Sequence, residues 1–381
     1  MSQSFIDDVI PRGVYHVGGK TFFNKFQALS HSDSTGVHPR WDYHDDWFST
    51  FNWTVEPEYS LEYYYHQRCQ QIRDKYNWIV LHYSGGSDSH NILCNFWKNN
   101  IHIDEIIVSH PIEYFDKHTN PDFSINSANA HNEWFHTLKP DLEWIGKNLP
   151  KTKITIYDYT NDILDFNVDQ DWVMHCGEHI NPNIVSRINR YTKIQTLNVY
   201  DKLKVGHIYG IDKPLVFKDN GHWYFSFLDS LMAIQASQKP AVDNHTHINV
   251  EFFYWTLHLP EMLIKQAHLI KNFFENNPSY ISVATNKKKT AIEKDTERDI
   301  VRSVTYPYWR RDVYQHQKSS NVFFKEFDQW FFKFASESAK SRWWDGYNYV
   351  TKSIDKKWFN IDELGRQSGL TGFWSKWHRL D

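Results

Sequence analysis

Six consecutive residues have the features of a phosphate-binding loop and are the strongest candidates for chemistry: Ser84, Gly85, Gly86, Ser87, Asp88 and Ser89. The adjacent glycines let the backbone turn sharply and bring several N–H groups close to an anion without interference from a Cβ atom. The serine hydroxyls can donate further hydrogen bonds, and a helix that begins here adds the partial positive charge of its N-terminus. A carboxylate beside an anion calls for a bridging divalent cation, so Asp88 indicates Mg²⁺. The segment is therefore predicted to hold phosphate groups and a magnesium ion.

A later turn, Gly210–Pro214, contains a second set of candidates at the end of another predicted strand. If both turns lie at the same edge of one sheet, Lys213 could neutralise charge on the phosphates during cleavage, and Asp212 could bind the metal. A turn into a β-hairpin with a solvated ion pair explains the same residues equally well. Arg187 and Arg190, on the preceding predicted helix, are weaker phosphate candidates, and a surface position is favoured for them.

The elements around these turns alternate between strands and helices. The predicted strands are Trp78–Tyr83, Ile103–Ser109, Lys153–Tyr157 and Lys204–Tyr209. The predicted helices are Leu61–Tyr76, a helix that follows Ser89, Asn129–Leu149 and Asn183–Leu197. Short apolar strands that alternate with helices are typical of an α/β fold with a doubly wound parallel sheet. Because such sheets bind ligands at the carboxyl ends of their strands, the loop after the first strand is well placed for a site.

The pattern divides the chain into three predicted parts: an irregular N-terminal segment over 1–59, the α/β domain over 60–235, and a mainly helical, aromatic-rich region over 236–381. The α/β domain includes a hairpin predicted over Leu215–Phe227, and the clearest later helix is Pro260–Asn276. The charge-rich stretch Lys287–Arg302 is predicted to be an exposed loop. Its first three lysines could close over phosphates as a lid, although a solvated loop is favoured.

The composition restricts the classes of function. Of 381 residues, 46 are acidic and 42 basic, so the formal net charge is −4 and no overall positive field favours nucleic-acid binding. A local patch could still bind nucleic acid, but a small molecule or a nucleotide is the expected substrate. The three cysteines are widely separated, which predicts no disulfide framework and favours the cytoplasm. No apolar run is long enough for a membrane-spanning helix, so no membrane partner is expected.

Two further clusters resemble parts of known sites but lack required residues. Gly18–Thr21 has the Gly-Lys-Thr ending of a Walker A loop, but five residues separate Gly13 from Gly19 where the motif requires four. His175, Cys176 and His179 could lie close together. Because they have neither a second cysteine pair nor a partnered carboxylate, no metal site is expected there.

The Ser84–Ser89 hexapeptide resembles the SGGxDS signature of the PP-loop ATP pyrophosphatases, also called adenine nucleotide alpha hydrolases. This superfamily includes asparagine synthetases, NAD synthetases and phosphoadenylyl-sulfate reductases. The resemblance implies a Rossmann-like parallel sheet, with ATP and Mg²⁺ as cofactors. It also implies that the hexapeptide holds the pyrophosphate of ATP and that the end of the second strand, near Val108 and Ser109, faces the adenine.

The resemblance further implies cleavage of ATP to AMP and pyrophosphate, with Asp88 and Lys213 as the expected catalytic residues. The sequence lacks the CxxC pair of many tRNA-thiolation enzymes, and it has Ser2 rather than a cysteine nucleophile at position 2. These absences favour a ligase that adenylates a carboxylate or amide and transfers it to ammonia or an amine, with the C-terminal aromatic residues forming the substrate wall. Two alternatives stay open. One is a nucleobase- or tRNA-modifying enzyme, in which Tyr306–Arg311 could stack on bases, and the other is a non-catalytic nucleotide-binding scaffold.

Overall fold

The computed structural model describes residues 13–113, 134–165, 180, 203–210, 215–229, 248–286, 289–309, 326–361 and 367–381. The strands in this part of the chain are β1 (Val14–Val17), β2 (Lys20–Phe22), β3 (Arg40–Asp42), β4 (Trp78–His82), β5 (Glu105–His110), β6 (Lys153–Asp158), β7 (Val205–Tyr209), β8 (Leu215–Asp219), β9 (His222–Ser226), β10 (Ile248–Phe252), β11 (Phe359–Ile361), β12 (Gln367–Leu370) and β13 (His378–Arg379). The α-helices are α1 (Lys25–Thr35), α2 (Asp45–Phe48), α3 (Leu61–Lys75), α4 (Ser87–Lys98), α5 (Lys139–Asn148), α6 (Thr160–Leu164), α7 (Pro260–Asn276), α8 (Ile281–Thr285), α9 (Ala291–Thr305), α10 (Glu326–Phe334) and α11 (Glu337–Ser353). A π-helical turn (Trp134–Leu138) leads into α5, and 3₁₀ turns lie at Pro278–Tyr280 and Lys356–Trp358.

Five parallel strands form the main sheet, in the spatial order β6-β5-β4-β7-β10. The chain moves outward from β4 to β5 and β6, and then returns across β4 to add β7 and β10 on the other side. The strand order therefore reverses between β4 and β7, and open α/β sheets bind ligands at the carboxyl ends of the strands at such a point. The predicted α/β class with a parallel, Rossmann-like sheet is therefore confirmed. The helix predicted over Asn183–Leu197 lies outside the described residues, so the second helical layer of a doubly wound sheet stays a prediction.

The four predicted strands of this sheet all form, and β10 is an additional strand that the sequence pattern did not indicate. On one side, α3 packs against α4 and α7. The Ser60 hydroxyl begins α3 by accepting a hydrogen bond from the Tyr63 N–H, and the helix buries Tyr65, Cys69 and Ile72 at the predicted spacing. These contacts fix α3 against the helices that follow β4 and β10.

The N-terminal segment is not irregular over its described residues, 13–59, and the prediction was wrong for this part of it. β1 pairs with both β2 and β3 in a small antiparallel sheet. Asn24 caps α1 by accepting a hydrogen bond from the Gln27 N–H, and Gly36 ends the helix in the left-handed conformation. The strands are three or four residues long, which is too short for periodicity to indicate them.

The C-terminal region is mainly helical in its described residues, and α7 has the predicted bounds. No helix in the described ranges combines the length and the hydropathy that a membrane crossing requires. The exposed loop predicted over Lys287–Arg302 is wrong for its larger part, because α9 begins at Ala291. Lys287 and Lys288 lie outside the described residues, so the lid is not tested.

The charges that suggested a loop belong to the polar face of α9. Thr290 and Glu293 form a reciprocal capping box at its start, and Lys289 pairs with Glu297 at 2.5 Å. The other face buries Ile300 and Val301. A short amphipathic helix with many charges was therefore mistaken for a solvated segment.

Another three-stranded sheet joins distant parts of the chain. The predicted hairpin forms as β8 and β9, and β13 adds to the free edge of β9 in the order β13-β9-β8. Beside this sheet, the Lys25 ammonium group lies 2.8 Å from the Asp229 carboxylate, and neither side chain is exposed. The Tyr15 hydroxyl and the Phe373 N–H both donate hydrogen bonds to the same carboxylate.

Candidate nucleotide-binding site

The Ser84–Ser89 segment connects the carboxyl end of β4 to the first turn of α4, at the point where the strand order reverses. The Ser84 N–H donates to the Ser89 hydroxyl at 3.2 Å, and that hydroxyl donates to the Gly86 carbonyl at 3.1 Å. The Gly86 N–H donates to the Ser84 hydroxyl at 3.3 Å. These contacts hold the segment in a folded loop through its own hydrogen bonds.

The loop leaves donors available for an anion. Gly86 occupies the N-cap position of α4 and has no side chain to cap the first-turn N–H groups. The Ser87 hydroxyl is buried, and no hydrogen-bond partner for it lies within the described part of the chain. A buried hydroxyl without a partner is costly, and a phosphate oxygen would satisfy it.

Two glycines are required by the close approach of neighbouring elements. Gly85 has φ 71°, and a Cβ atom there would lie 2.6 Å from the Leu138 Cγ atom of the π-helical turn. At the end of β7, a Cβ atom on Gly210 would lie 3.1 Å from the Asp88 Cβ atom. Gly210, the first residue of the second predicted turn, therefore lies beside Asp88, and the rest of that turn, with Asp212 and Lys213, falls outside the described residues.

Asp88 is held by two tyrosines from the region that follows the main sheet. The Tyr306 hydroxyl, just beyond the end of α9, donates to Asp88 Oδ1 at 2.5 Å. The Tyr254 hydroxyl, just beyond β10, donates to the Asp88 carbonyl at 2.9 Å. Burial raises the pKa of both hydroxyls well above the ordinary tyrosine value, and the nearby Asp88 charge adds to the rise. Both groups are therefore hydrogen-bond donors at neutral pH.

His90, which sequence reasoning missed, is the residue directly after the loop. It forms a hydrogen bond with Tyr83, the residue directly before the loop. Its Nδ1 atom lies 2.9 Å from the Tyr83 hydroxyl, and that hydroxyl donates to Asp141 Oδ2 at 2.5 Å. Burial alone would lower the pKa of His90, but hydrogen bonds to Asp141 and Cys94 outweigh it and raise the pKa to about 9. The imidazolium therefore forms an ion pair with Asp141 next to the loop. The position of His90 beside the motif was a usable signal, whereas its contact with Asp141 needed the tertiary structure.

The predicted adenine-facing residues lie near the end of β5. The Val108 side chain is fully buried in the core, and Ser109 is half-buried. Neither forms a contact that assigns it to a base, so the adenine assignment stays a prediction. Tyr306 is only 4% exposed and stacks on Tyr254 with a centroid distance of 5.3 Å, so its ring is not open to a nucleobase in this conformation.

The donor set fits a magnesium ion that arrives with a nucleotide. In the ranges that the structure describes, no group of three or more histidine, cysteine, aspartate or glutamate residues could hold a metal ion. Asp88 offers one carboxylate at the loop. Because Mg²⁺ usually takes one or two carboxylates together with substrate phosphates and water, one protein ligand is compatible with it.

The Walker-like Gly18–Thr21 segment consists of the Gly18–Gly19 turn between β1 and β2 and the first two residues of β2. Val17 pairs with Lys20 across an antiparallel ladder, and β2 rather than a helix follows the glycines. A phosphate loop needs a helix N-terminus at this point, so the structure agrees with the rejection of this motif.

No protein-family model matches the chain, and no curated protein is significantly similar to it.

Proposed function

We propose that the chain is an ATP-binding enzyme of the PP-loop type that cleaves ATP to AMP and pyrophosphate. The adenylated substrate would be a carboxylate or an amide, which is then transferred to ammonia or an amine. One observation carries the proposal: a preformed Ser-Gly-Gly-Ser-Asp-Ser loop joins a parallel strand to a helix N-terminus at the position where the strand order reverses.

The roles of the residues follow from their positions. The N–H groups at the start of α4 and the Ser87 hydroxyl would hold the oxygens of the β- and γ-phosphates. A substrate oxygen would attack the α-phosphorus while the bond to the bridging oxygen breaks and pyrophosphate leaves. Asp88 would hold Mg²⁺, which supplies charge neutralisation on the phosphates when it is bound. The imidazolium of His90 and the ammonium group of Lys213 are the further positive charges assigned to this step.

A tRNA-modifying enzyme is the second candidate, and one surface feature favours it. Trp374 and Trp377 are each 42% exposed beside the β13-β9-β8 sheet, and Arg379 of β13 follows them closely in the chain. Exposed aromatic rings beside basic groups can stack on unpaired bases. The two exposed tryptophans support an RNA acceptor as the second candidate, with Arg379, which is paired with Asp381, as the nearest basic residue in the sequence.

Incubation with α-labelled ATP and Mg²⁺ tests the proposal. With a panel of carboxylates plus ammonia, or with unmodified tRNA as the acceptor, the protein should form labelled AMP and release pyrophosphate. The Asp88→Asn variant should lose this turnover, because it removes the only carboxylate charge of the loop, whereas Lys20→Ala in the Walker-like turn should retain it.

Each alternative gives a different result. Labelled ADP and inorganic phosphate would contradict cleavage at the α-phosphate. Tight ATP binding without turnover for any acceptor would favour the scaffold. Equal loss of binding in Lys20→Ala and Asp88→Asn would contradict the assignment of the loop.

A further inference from the structure

Three buried tyrosines, Tyr65, Tyr254 and Tyr306, form a cluster that connects the C-terminal helices to the loop. The Tyr65 hydroxyl donates to the Thr305 carbonyl at 2.7 Å, and Gln266 of α7 donates to Tyr65 at 2.9 Å. The Tyr254 and Tyr306 rings stack with an interplanar angle of 25°. Both the backbone before Tyr306 and its ring are thus fixed by packing and hydrogen bonds.

The Tyr306 hydroxyl ends this chain of contacts on the Asp88 carboxylate. The hydrogen bond to Oδ1 joins residues 218 positions apart, and it is the contact through which the end of α9 reaches the loop. Tyr254 supports the same residue from its backbone side, since its hydroxyl donates to the Asp88 carbonyl and accepts from Asn91 at 2.9 Å. Asp88 is therefore held at both its main chain and its side chain.

We infer that Tyr306 is a positioning residue whose hydroxyl fixes the Asp88 carboxylate for a magnesium-bound nucleotide, so that the end of α9 sets the metal dependence of nucleotide binding. This inference rests on the proposed function for the identity of the ligand. When one oxygen of a carboxylate accepts a hydrogen bond, the whole carboxylate has fewer orientations. Binding a cation through the second oxygen then costs less conformational entropy.

The opposite role for Tyr306 is physically distinct. If Oδ1 is the oxygen that the cation needs, the hydroxyl competes with the cation and acts as a latch on the loop. The two roles predict opposite effects when the hydroxyl alone is removed. Tyr306→Phe makes this change and keeps the ring that stacks on Tyr254.

The test is calorimetric binding of α,β-methylene-ATP, which cannot be cleaved between these phosphates, in Mg²⁺ and separately in EDTA. Tyr306→Phe should bind the analogue normally in EDTA but lose about tenfold in affinity in Mg²⁺, the scale typical of a lost partner to a metal ligand. Tyr65→Phe is the matched control, because it removes a buried hydroxyl from the same cluster that bonds to the Thr305 carbonyl and not to Asp88. It should keep the wild-type gain in affinity from Mg²⁺.

A double-mutant cycle separates positioning from general damage. In an Asp88→Asn background, Tyr306→Phe should have no further effect on the magnesium dependence, because the group it orients is no longer charged. Thermal unfolding of Tyr306→Phe and Tyr65→Phe checks that both variants fold.

The outcomes distinguish the inference from the function on which it rests. Wild-type protein that binds no nucleotide would overturn the proposed function, and the inference with it. Wild-type binding that Mg²⁺ strengthens, with Tyr306→Phe equal to Tyr65→Phe, would leave the function standing and overturn the inference. Tighter magnesium-dependent binding by Tyr306→Phe would also overturn it, because the hydroxyl would then be a latch.

Discussion

At the scale of single residues, Gly85 is subject to two independent constraints. Its backbone has φ 71°, a conformation that is strained for residues with a Cβ atom, and the Leu138 side chain occupies the space that a Cβ atom would need. Gly36 has the same φ of 71°, but it ends α1 in open space, where a Cβ atom would have no neighbour within 4 Å. Comparing substitutions at these two glycines therefore separates the effect of backbone strain from the effect of the Leu138 contact.

Gly85→Ala should lower the free energy of unfolding by about 3 kcal/mol and abolish nucleotide binding, because strain and overpacking add. Gly36→Ala should lower it by about 1 kcal/mol and leave nucleotide binding intact, because only the strain remains. Urea unfolding and calorimetric titration with ATP measure both effects. Equal losses of stability in the two variants would contradict the role given to the Leu138 contact.

The sequence predicted the loop residues but not the groups that support them. Ser84–Ser89 form a contiguous motif, so residue types and spacing were sufficient to indicate the loop. His90 depends on Asp141 of α5, and Asp88 depends on Tyr306 just beyond α9, at sequence separations that no local pattern encodes. Tyr306 was considered only for base stacking or packing, and its hydroxyl gave no signal without the fold.

At the scale of elements, β10 shows why a strand of the main sheet was missed. Its sequence, Ile-Asn-Val-Glu-Phe, is short and includes Glu251, which is 5% exposed. Arg68 of α3 donates to this carboxylate at 2.6 Å, and the Lys75 ammonium group lies 2.9 Å from it. The partners that make the buried charge tolerable lie in a helix much earlier in the chain. The other four strands of the sheet were predicted from short, mostly apolar runs that alternate with helices, although β5 also buries a paired carboxylate, Glu105.

The ion pairs of Glu251 connect β10 to α3, and their contribution to the free energy of unfolding should depend on pH. Burial would raise the pKa of Glu251, but Arg68 and Lys75 outweigh it and lower the pKa to about 2. Because the folded-state pKa is lower than the unfolded value of about 4.3, the stabilisation is fully present above that value and is lost as the pH falls towards 2.

Glu251→Gln should therefore cost several kcal/mol at pH 7, and its deficit relative to wild type should shrink steadily between pH 4.5 and pH 2. The measurement is urea unfolding at a series of pH values. Glu337→Gln, at a glutamate whose side chain is 90% exposed, is the matched control and should show no such change. A deficit that stays constant across this range would contradict the assigned cause.

At the scale of the whole molecule, the Lys25–Asp229 ion pair joins three distant parts of the chain. Lys25 belongs to α1, Asp229 follows β9, and Phe373 precedes β13. Both side chains are fully buried, so removing either one leaves the other without its partner in the interior. The pair therefore makes the small N-terminal sheet and the β13-β9-β8 sheet parts of one cooperative structure.

Lys25→Met should reduce the free energy of unfolding by about 3–5 kcal/mol, because it leaves the Asp229 carboxylate buried without its cation. Adding Asp229→Asn should restore part of the loss, since the remaining group is then neutral. Lys340→Met removes the cation from an exposed pair with Glu337 and should change stability by less than about 0.5 kcal/mol. Urea unfolding of the wild type and these three variants measures the changes in the free energy of unfolding. A small effect of Lys25→Met would show that the pair is not needed for stability.

The pairing of β13 with β9 also has a consequence for the order of events during synthesis. The Ser226 hydroxyl donates to the Ser375 carbonyl, a contact between residues 149 positions apart. Until the ribosome has made that intervening stretch, β9 is the open edge of a two-stranded hairpin and can pair with another chain. Since contacts between such distant positions close slowly, nascent chains should be most prone to aggregate in this interval, and a chaperone that covers the β9 edge should raise the yield of folded protein.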